Sequence, residues 1–365
     1  MPRPDYLGPY PDVYVGGQRL WKVFAGSEQV WPEGFEPMWV CYGTRGGSNP
    51  AFILYSGDGE TWARVDIDIP IRTLQSTSLS QHSIAVDPLT NTFLVSENSQ
   101  KIWKSTDGET WTSSNIPSGR NVNSVSYGNG VWIVGMGIAN AYHAYGISTD
   151  AENWTENNLP RNLGVAADEI SINHYTSSAR LLSSLQRRFR STDNGTTWSD
   201  SSPLLRRWAV ASDGSGTILS NEGTGALFYR STDGGATWSS VSSIANVFST
   251  MFDASLTYAD GVWIYTGASS STDRVWKSTD NGSTWTGIDL SFPTGGASVS
   301  PRYRSAHDSR NGEWVVSGTN TSDNVITFWK SVDNTATWQG PFQTGFVGRI
   351  HNLIHNSGLP DTKLP

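Results

Sequence analysis

Arginine supplies the first chemistry legible in this sequence. Arg120, Arg206, Arg302 and Arg349 precede Tyr127, Ser212, His307 and His355 by seven, six, five and six positions, and each of these pairs brackets a short segment of strand character. The spacing predicts four guanidinium groups at the entrances of four matching inner strands, with Arg207 and Arg304 accompanying two of them and Arg72 and Arg161 in longer connections. A guanidinium fork makes two-point contacts with carboxylate or phosphate. Converging arginines therefore predict a positive funnel that binds an anionic ligand. Pairing with neighbouring acids, or a place on the rim, is the competing arrangement. Phe248, Phe292 and Tyr303, in connecting segments, would add stacking surface for sugar rings, although aromatics at such positions commonly serve the core.

Carboxylates and histidines offer less. A glycosidase needs two carboxyl groups at a set separation, and Asp66, Asp68, Asp168, Glu169 and Asp289 all fall in connecting segments. Loop carboxylates on an acidic chain are mostly solvated, so no catalytic residue is assigned. His174, His307 and His355 occupy matching ends of first strands, and alternation puts His351 on the face of His355. No compact ligand spacing appears among them. They read as turn histidines bonded to backbone, and neither a metal nor any other cofactor is expected. Cys41 lies in an expected strand, where a lone cysteine acts as a small hydrophobe; one cysteine also excludes an internal disulfide.

These residues must be held by something, and a recurring motif shows what. Ser191 to Trp198 reads Ser-Thr-Asp-Asn-Gly-Thr-Thr-Trp, and Ser231 to Trp238 and Ser278 to Trp285 are close copies. Ser331 to Trp338 puts Thr335 in the glycine position. Ser56 to Trp62, Ser105 to Trp111 and Ser148 to Trp154 are one residue shorter, the last with Ala151 for glycine. The aspartates are Asp58, Asp107, Asp150, Asp193, Asp233, Asp280 and Asp333, and the tryptophans Trp62, Trp111, Trp154, Trp198, Trp238, Trp285 and Trp338, at intervals of 40 to 53 residues. Each aspartate can accept backbone N–H bonds from the next residues and close a tight turn. Asn-Gly and Gly-Gly supply the positive φ a hairpin needs. Each indole folds into the sheet, where burial of ~150–250 Å² is worth about 4–6 kcal/mol. The motif is structural.

Around it the chain divides into units of four short strands. In one unit they are Val122 to Tyr127, Val131 to Val134, Ala144 to Ser148 and the stretch from Trp154. Such units are the mark of a β-propeller blade. The first unit starts at Met38 without an innermost strand, and Arg349 to Asn356 reads as a first strand left over at the other end. The expectation is an all-β, seven-bladed propeller over residues 36–365, with the first blade completed by the C-terminal strand. Residues 1–35 form a separate small β module of short strands and glycine turns, too small to bury a core alone.

Composition bounds the partners. There are 25 Lys and Arg against 33 Asp and Glu, a net charge of −8 and a pI near 5.2, which argues against nucleic acid. No run is apolar enough to span a bilayer, and Met1 to Pro11 carries no secretory signal pattern.

The Ser-x-Asp-x-Gly-x-Thr-Trp pattern resembles the Asp-box, or BNR repeat, of sialidases, certain β-glucanases and photosystem assembly factors, over residues 38–356. The resemblance implies a box hairpin on the face away from the ligand. A sialidase site would need an early Arg-Ile-Pro, but Ile69-Pro70 and Ile116-Pro117 follow Asp68 and Asn115, so that active site is not expected. The stretch Val13 to Gly16 followed by Lys22 to Pro32 is similar to the leader of bacteriophage minor tail proteins. That resemblance implies a virion location after assembly in the host cytoplasm, other tail proteins as partners of the N-terminal module, and a host-surface glycan or receptor as the propeller's ligand. The expected function is a tail structural and attachment protein. A glycoside hydrolase or lyase acting on capsule, and a cellular assembly factor binding a partner protein, remain the alternatives.

Overall fold

The structure is a computed structural model that describes residues 14–15, 18–19, 23–25, 28–31, 38–44, 51–67, 84–88, 90–96, 99–108, 110–116, 119–137, 144–159, 170–174, 180–184, 188–200, 207–222, 227–244, 255–266, 274–290, 304–319 and 324–356. The chain forms two compact units, Met1–Glu36 and Pro37–Pro365. In the first, β1 (Tyr14–Val15) pairs with β2 (Gln18–Arg19), and β3 (Val23–Ala25) pairs with β4 (Glu28–Trp31).

The second unit is an all-β propeller of four-stranded antiparallel sheets. Counted as uninterrupted stretches of chain, the blades number six rather than seven, and the remaining sheet is composite. That sheet has the order β32-β5-β6-β7, with β5 (Met38–Thr44), β6 (Ala51–Ser56), β7 (Ala63–Ile67) and the C-terminal β32 (Arg349–Asn356). The contiguous blades follow. The first holds β8 (Ile84–Asp87), β9 (Thr92–Ser96), β10 (Lys101–Ser105) and β11 (Thr112–Asn115). The second holds β12 (Asn121–Gly128), β13 (Val131–Gly137), β14 (Ala144–Ser148) and β15 (Thr155–Asn158). Next come β16 (Ile170–His174), β17 (Arg180–Ser184), β18 (Arg188–Ser191) and β19 (Ser199–Asp200). The fourth has β20 (Arg207–Ser212), β21 (Ile218–Glu222), β22 (Leu227–Ser231) and β23 (Ser239–Ser243). The fifth has β24 (Ser255–Ala259), β25 (Val262–Thr266), β26 (Arg274–Ser278) and β27 (Thr286–Asp289). The sixth has β28 (Arg304–Asp308), β29 (Glu313–Thr319), β30 (Val325–Ser331) and β31 (Gln339–Val347).

Second strands are buried on both faces, and this explains their unbroken apolar runs. Trp39 to Tyr42, Phe93 to Val95, Trp132 to Val134, Val262 to Tyr265 and Trp314 to Val316 are all buried. Fourth strands such as Thr112–Asn115 are exposed throughout and carry polar residues, which suits a sheet edge.

The apolar core is divided into clusters that lie between neighbouring sheets. One joins Trp39, Cys41, Phe52 and Leu54 of the composite sheet to Ala306, Val315, Ile326 and Phe328 of the sixth blade. Another joins Val40, Tyr42 and Ile53 to Ile84, Phe93 and Val95 of the first blade. Box tryptophans reach back into the preceding sheet: Trp62 stacks on Phe328 at 3.8 Å, Trp285 on Phe228 at 4.5 Å, and Trp198 meets Tyr145 edge-on at 5.6 Å. The expected full burial of each indole is therefore corrected. Trp62 and Trp198 are buried, whereas Trp111, Trp154, Trp238, Trp285 and Trp338 are half-buried at the interfaces.

Candidate functional site

Antiparallel order puts the boxes, which join third and fourth strands, at the same end of each sheet as the turns between first and second strands. In all seven boxes the serine Oγ donates to the aspartate Oδ1, at 2.7–2.9 Å. The same Oγ accepts the amide of the residue in the glycine position, and the aspartate Oδ1 accepts an amide from the returning strand, as from Thr61 and Thr197. At Asp333 the Thr337 hydroxyl and amide and the Ser331 hydroxyl hold the carboxyl down to about 2. At Asp233 burial opposes ionisation, but the Thr237 and Ser231 bonds outweigh it and again hold the group at about 2. Asp58, Asp150, Asp193 and Asp280 are lowered by the same kinds of bonds. These carboxylates are ionised acceptors committed to the turn.

A second regularity, missed in the sequence reading, stands one position before the serine. There the chain has Lys104, Arg190, Arg230, Lys277 and Lys330, and each reaches forward to the next box. Lys104 Nζ lies 2.8 Å from Glu152, Arg190 Nε donates to the Gly234 carbonyl at 2.7 Å, and Arg230 donates to the Asn281 carbonyl at 3.2 Å. Lys277 Nζ donates to the Asn334 carbonyl at 3.2 Å. Lys330 Nζ donates to the Asp58 carbonyl at 2.9 Å and so ties the last box to the first. Box asparagines add a further link: Asn334 Oδ1 accepts the Trp314 indole N–H of its own blade, and its Nδ2 donates to the Asp260 carbonyl of the blade before. The signal was available, since a basic residue immediately precedes five of the seven serines.

The opposite end of the sheets carries the connections in which the arginine funnel was expected. Arg120 enters β12, and its Nε lies 2.6 Å from Glu156 Oε1, so it adopts the competing acid-paired arrangement. Arg304 opens β28 but is 1% exposed, and its Nε donates to the His351 carbonyl at 2.6 Å. Its expected place on an open ligand surface is therefore corrected: it fastens β28 to β32. Arg207 opens β20 opposite Glu222, and Arg349 opens β32 opposite Thr44. Arg72, Arg161, Arg206, Arg302, Phe248, Phe292 and Tyr303 lie outside the described residues, as do Asp68, Asp168 and Glu169. Asp66 is exposed and ion-paired with Arg64, and Asp289 is exposed at the end of β27. The structure brings no two of the candidate carboxylates together among the described residues.

The histidines differ from expectation. His307 and His355 lie near the ends of the inner strands β28 and β32, and each packs at a 56° tilt against the tryptophan opposite it in register: His307 against Trp314 at 4.8 Å and His355 against Trp39 at 4.4 Å. Both face carboxylates, with His307 Nε2 3.4 Å from Asp260 and His355 Nδ1 3.6 Å from Asp308. They are buried groups packed against indoles, which corrects the reading as backbone-bonded turn histidines. A β-bulge between Ile350 and Asn352 turns His351 toward Tyr42, with its Nε2 2.8 Å from Thr44 Oγ1, so His351 and His355 do not share a face. His174 ends β16, as its spacing predicts. Among the described residues no cluster of His, Cys, Asp or Glu is arranged to hold a metal ion. Burial of the His355 ring outweighs the pull of Asp308, and Arg310 and His307 add to it, holding the imidazole down to about 4. Cys41 is buried, and burial pushes its thiol well above the usual range.

Comparison with solved structures returns matches of low identity. A putative 6-phosphogluconolactonase from Bacteroides uniformis is 10% identical with a TM-score of 0.59, covering 88% of this chain and 100% of that one. A protein from Lactobacillus plantarum is 10% identical with a TM-score of 0.58, covering 88% and 99%. YCF48 bound to a D1 peptide is 16% identical with a TM-score of 0.50, covering 73% and 81%. At such identities the likeness is one of fold. No curated protein matches the sequence. The family model that matches is the DUF6242 beta propeller domain, over residues 114–343. That match corrects the assignment to the Asp-box or BNR families and to phage minor tail proteins, because the serine–aspartate–tryptophan hairpin specifies a turn and recurs wherever that turn is useful. With this fold and this match, the chain belongs to the DUF6242 β-propeller family.

Proposed function

We propose that this chain is a two-part binding protein. Its N-terminal β unit fixes it to a larger assembly, and its propeller recognises a carboxylate-bearing glycan through the face opposite the hairpins. We infer also that the composite sheet acts as the seventh blade, so that the recognition face crowns a closed ring.

The observation that carries this reading is the inequality of the two faces. On the hairpin face, aspartates, serines, asparagines and basic residues are committed to turns and to inter-blade bonds. At the other end of the described strands, the sequence stretches that link one sheet to the next, 68–83, 160–169, 201–206, 245–254 and 291–303, differ in length, and their sequences include Arg72, Arg161, Arg206, Phe248, Phe292, Arg302 and Tyr303. A rigid scaffold with variable connections at one end suits recognition, and arginine with aromatic side chains suits an acidic sugar.

The test is binding of acidic and neutral polysaccharides to the full chain and to the double variant Arg206→Ala with Arg302→Ala. Acidic polysaccharide is expected to bind, and the variant to bind at least about tenfold more weakly, the loss of one or two charge-assisted contacts. Equal binding by both proteins would remove the arginines from the site. YCF48, similar in fold, is bound to a D1 peptide, so retention of extended peptides and of no polysaccharide would replace the glycan by a protein partner. Release of reducing ends would turn the reading toward a hydrolase.

A further inference from the structure

The innermost strand of the composite sheet comes from the far end of the chain, and its contact with the sixth blade is the seam of the ring. Among the described residues, side-chain contacts cross it near both ends of β32. Near the start of β32, buried Arg304 donates to the His351 carbonyl at 2.6 Å, a bond with no titration in ordinary conditions. Near the end of β32, the His355 side chain is 3% exposed and lies against Trp39 of β5. Its Nδ1 has no hydrogen-bond partner and sits 3.6 Å from Asp308 Oδ1.

That carboxylate is already committed. Asp308 Oδ1 accepts the Arg310 amide at 2.9 Å, Oδ2 accepts from Asn311 Nδ2 at 2.9 Å, and the Arg310 Nε stands 3.6 Å from Oδ1. From β28 the ring also faces His307, which neighbours Asp260 of the preceding blade. On its other flank, β8 ends at Asp87, whose carboxylate takes the Thr90 hydroxyl. The nearby Glu313 of β29 pairs with Lys330. A proton on His355 would therefore put a second positive charge beside Arg310, in a buried site whose one adjacent carboxylate already accepts two hydrogen bonds and faces the Arg310 guanidinium.

We propose that the seam between β28 and β32 is an acid-sensitive fastening, in which protonation of His355 detaches the C-terminal strand from the sixth blade and opens the ring. Neutral His355 packs as an aromatic disc on Trp39. The charged ring must find water, and the nearest route is separation of the end of β32 from β28. Loss of β32 strips β5 of its inner neighbour and leaves the composite sheet with three strands.

Hydrogen exchange read strand by strand tests this, with rates corrected for intrinsic pH dependence and compared between β32 and β13. Between pH 6.5 and 4.5, opening of β32 is expected to rise by at least about tenfold relative to β13, because the unfolded strand takes up the proton and the closed one excludes it. His355→Phe keeps the aromatic contact with Trp39 without the titration, and in it the two strands should keep their ratio across the same range. An equal acid response of β32 in wild type and His355→Phe overturns the proposal. So does an NMR titration of the native protein that finds His355 protonating near the value of a free histidine, a measurement that needs no variant.

Discussion

At the residue scale, the boxes show how one turn tolerates different side chains. The short boxes place one left-handed residue, such as Gly59 at φ 74° or Ala151 at φ 61°. The long boxes place two, such as Asn194 at 58° and Gly195 at 89°, or Asn334 at 51° and Thr335 at 71°. The serine, aspartate and backbone bonds are strong enough to hold a β-branched residue where glycine is the natural choice. Thr335 bears the strain, since it is 4% exposed and its hydroxyl has no hydrogen-bond partner. Thr335→Gly should raise stability by ~0.5–1 kcal/mol in urea unfolding, with the relief of φ and of the buried hydroxyl exceeding the backbone entropy cost. A loss of stability would show that the threonine methyl packs better than its backbone suggests.

At the element scale, the hairpins tie neighbouring sheets together: tryptophans such as Trp62, Trp198 and Trp285 reach back, and in five of the seven boxes the basic residue before the serine reaches forward. The forward contacts are unequal. Lys277 makes an exposed bond to the Asn334 carbonyl. Lys330 is 7% exposed, bonds to the Asp58 carbonyl, and lies 3.1 Å from Glu313 and 3.7 Å from Glu60. Lys330→Met should cost about 2–3 kcal/mol, because it leaves a part-buried carbonyl and Glu313 without their cation. Lys277→Met should cost under about 1 kcal/mol at the exposed contact. Urea midpoints of the two variants check the ranking, and equal losses would mean that closure has no special dependence on Lys330.

At the scale of the whole molecule, acid should weaken the ring in two stages. His355 has a folded value of about 4, below the roughly 6.5 of an unfolded histidine. The unfolded chain therefore binds the extra proton between these values, and stability falls as pH drops through that window, by on the order of 2–3 kcal/mol. The box carboxylates act lower. The folded values of Asp58, Asp150, Asp193, Asp233, Asp280 and Asp333 lie beneath the ~3.9 of an unfolded aspartate, about 2 at Asp233 and Asp333, so their contribution persists above ~4 and disappears toward pH 2. Unfolding free energy measured from pH 7 to 2 should show both declines. A flat profile between pH 6.5 and 4.5 would remove the first.

The propeller was legible in the sequence because its determinants are local. A serine, an aspartate two residues on and a tryptophan at the end of the turn fix each hairpin with bonds inside eight residues, and the doubly buried second strands announce themselves as apolar runs such as Val131 to Val134. Even the C-terminal strand could be matched to Met38–Thr44, because each lacked the partner that the repeat demands. Only the tertiary structure decided which polar residues are spent on the ring. Arg304 reads as a ligand-facing arginine until β32 is laid beside β28 and its carbonyl takes the guanidinium. His355 reads as a turn histidine until Trp39 and Asp308, distant in sequence, surround it. Spacing along a chain reports bonds that close within a hairpin. It carries no record of the neighbour that arrives from three hundred residues away, and that neighbour determines whether a charge is offered to solvent or buried in a seam.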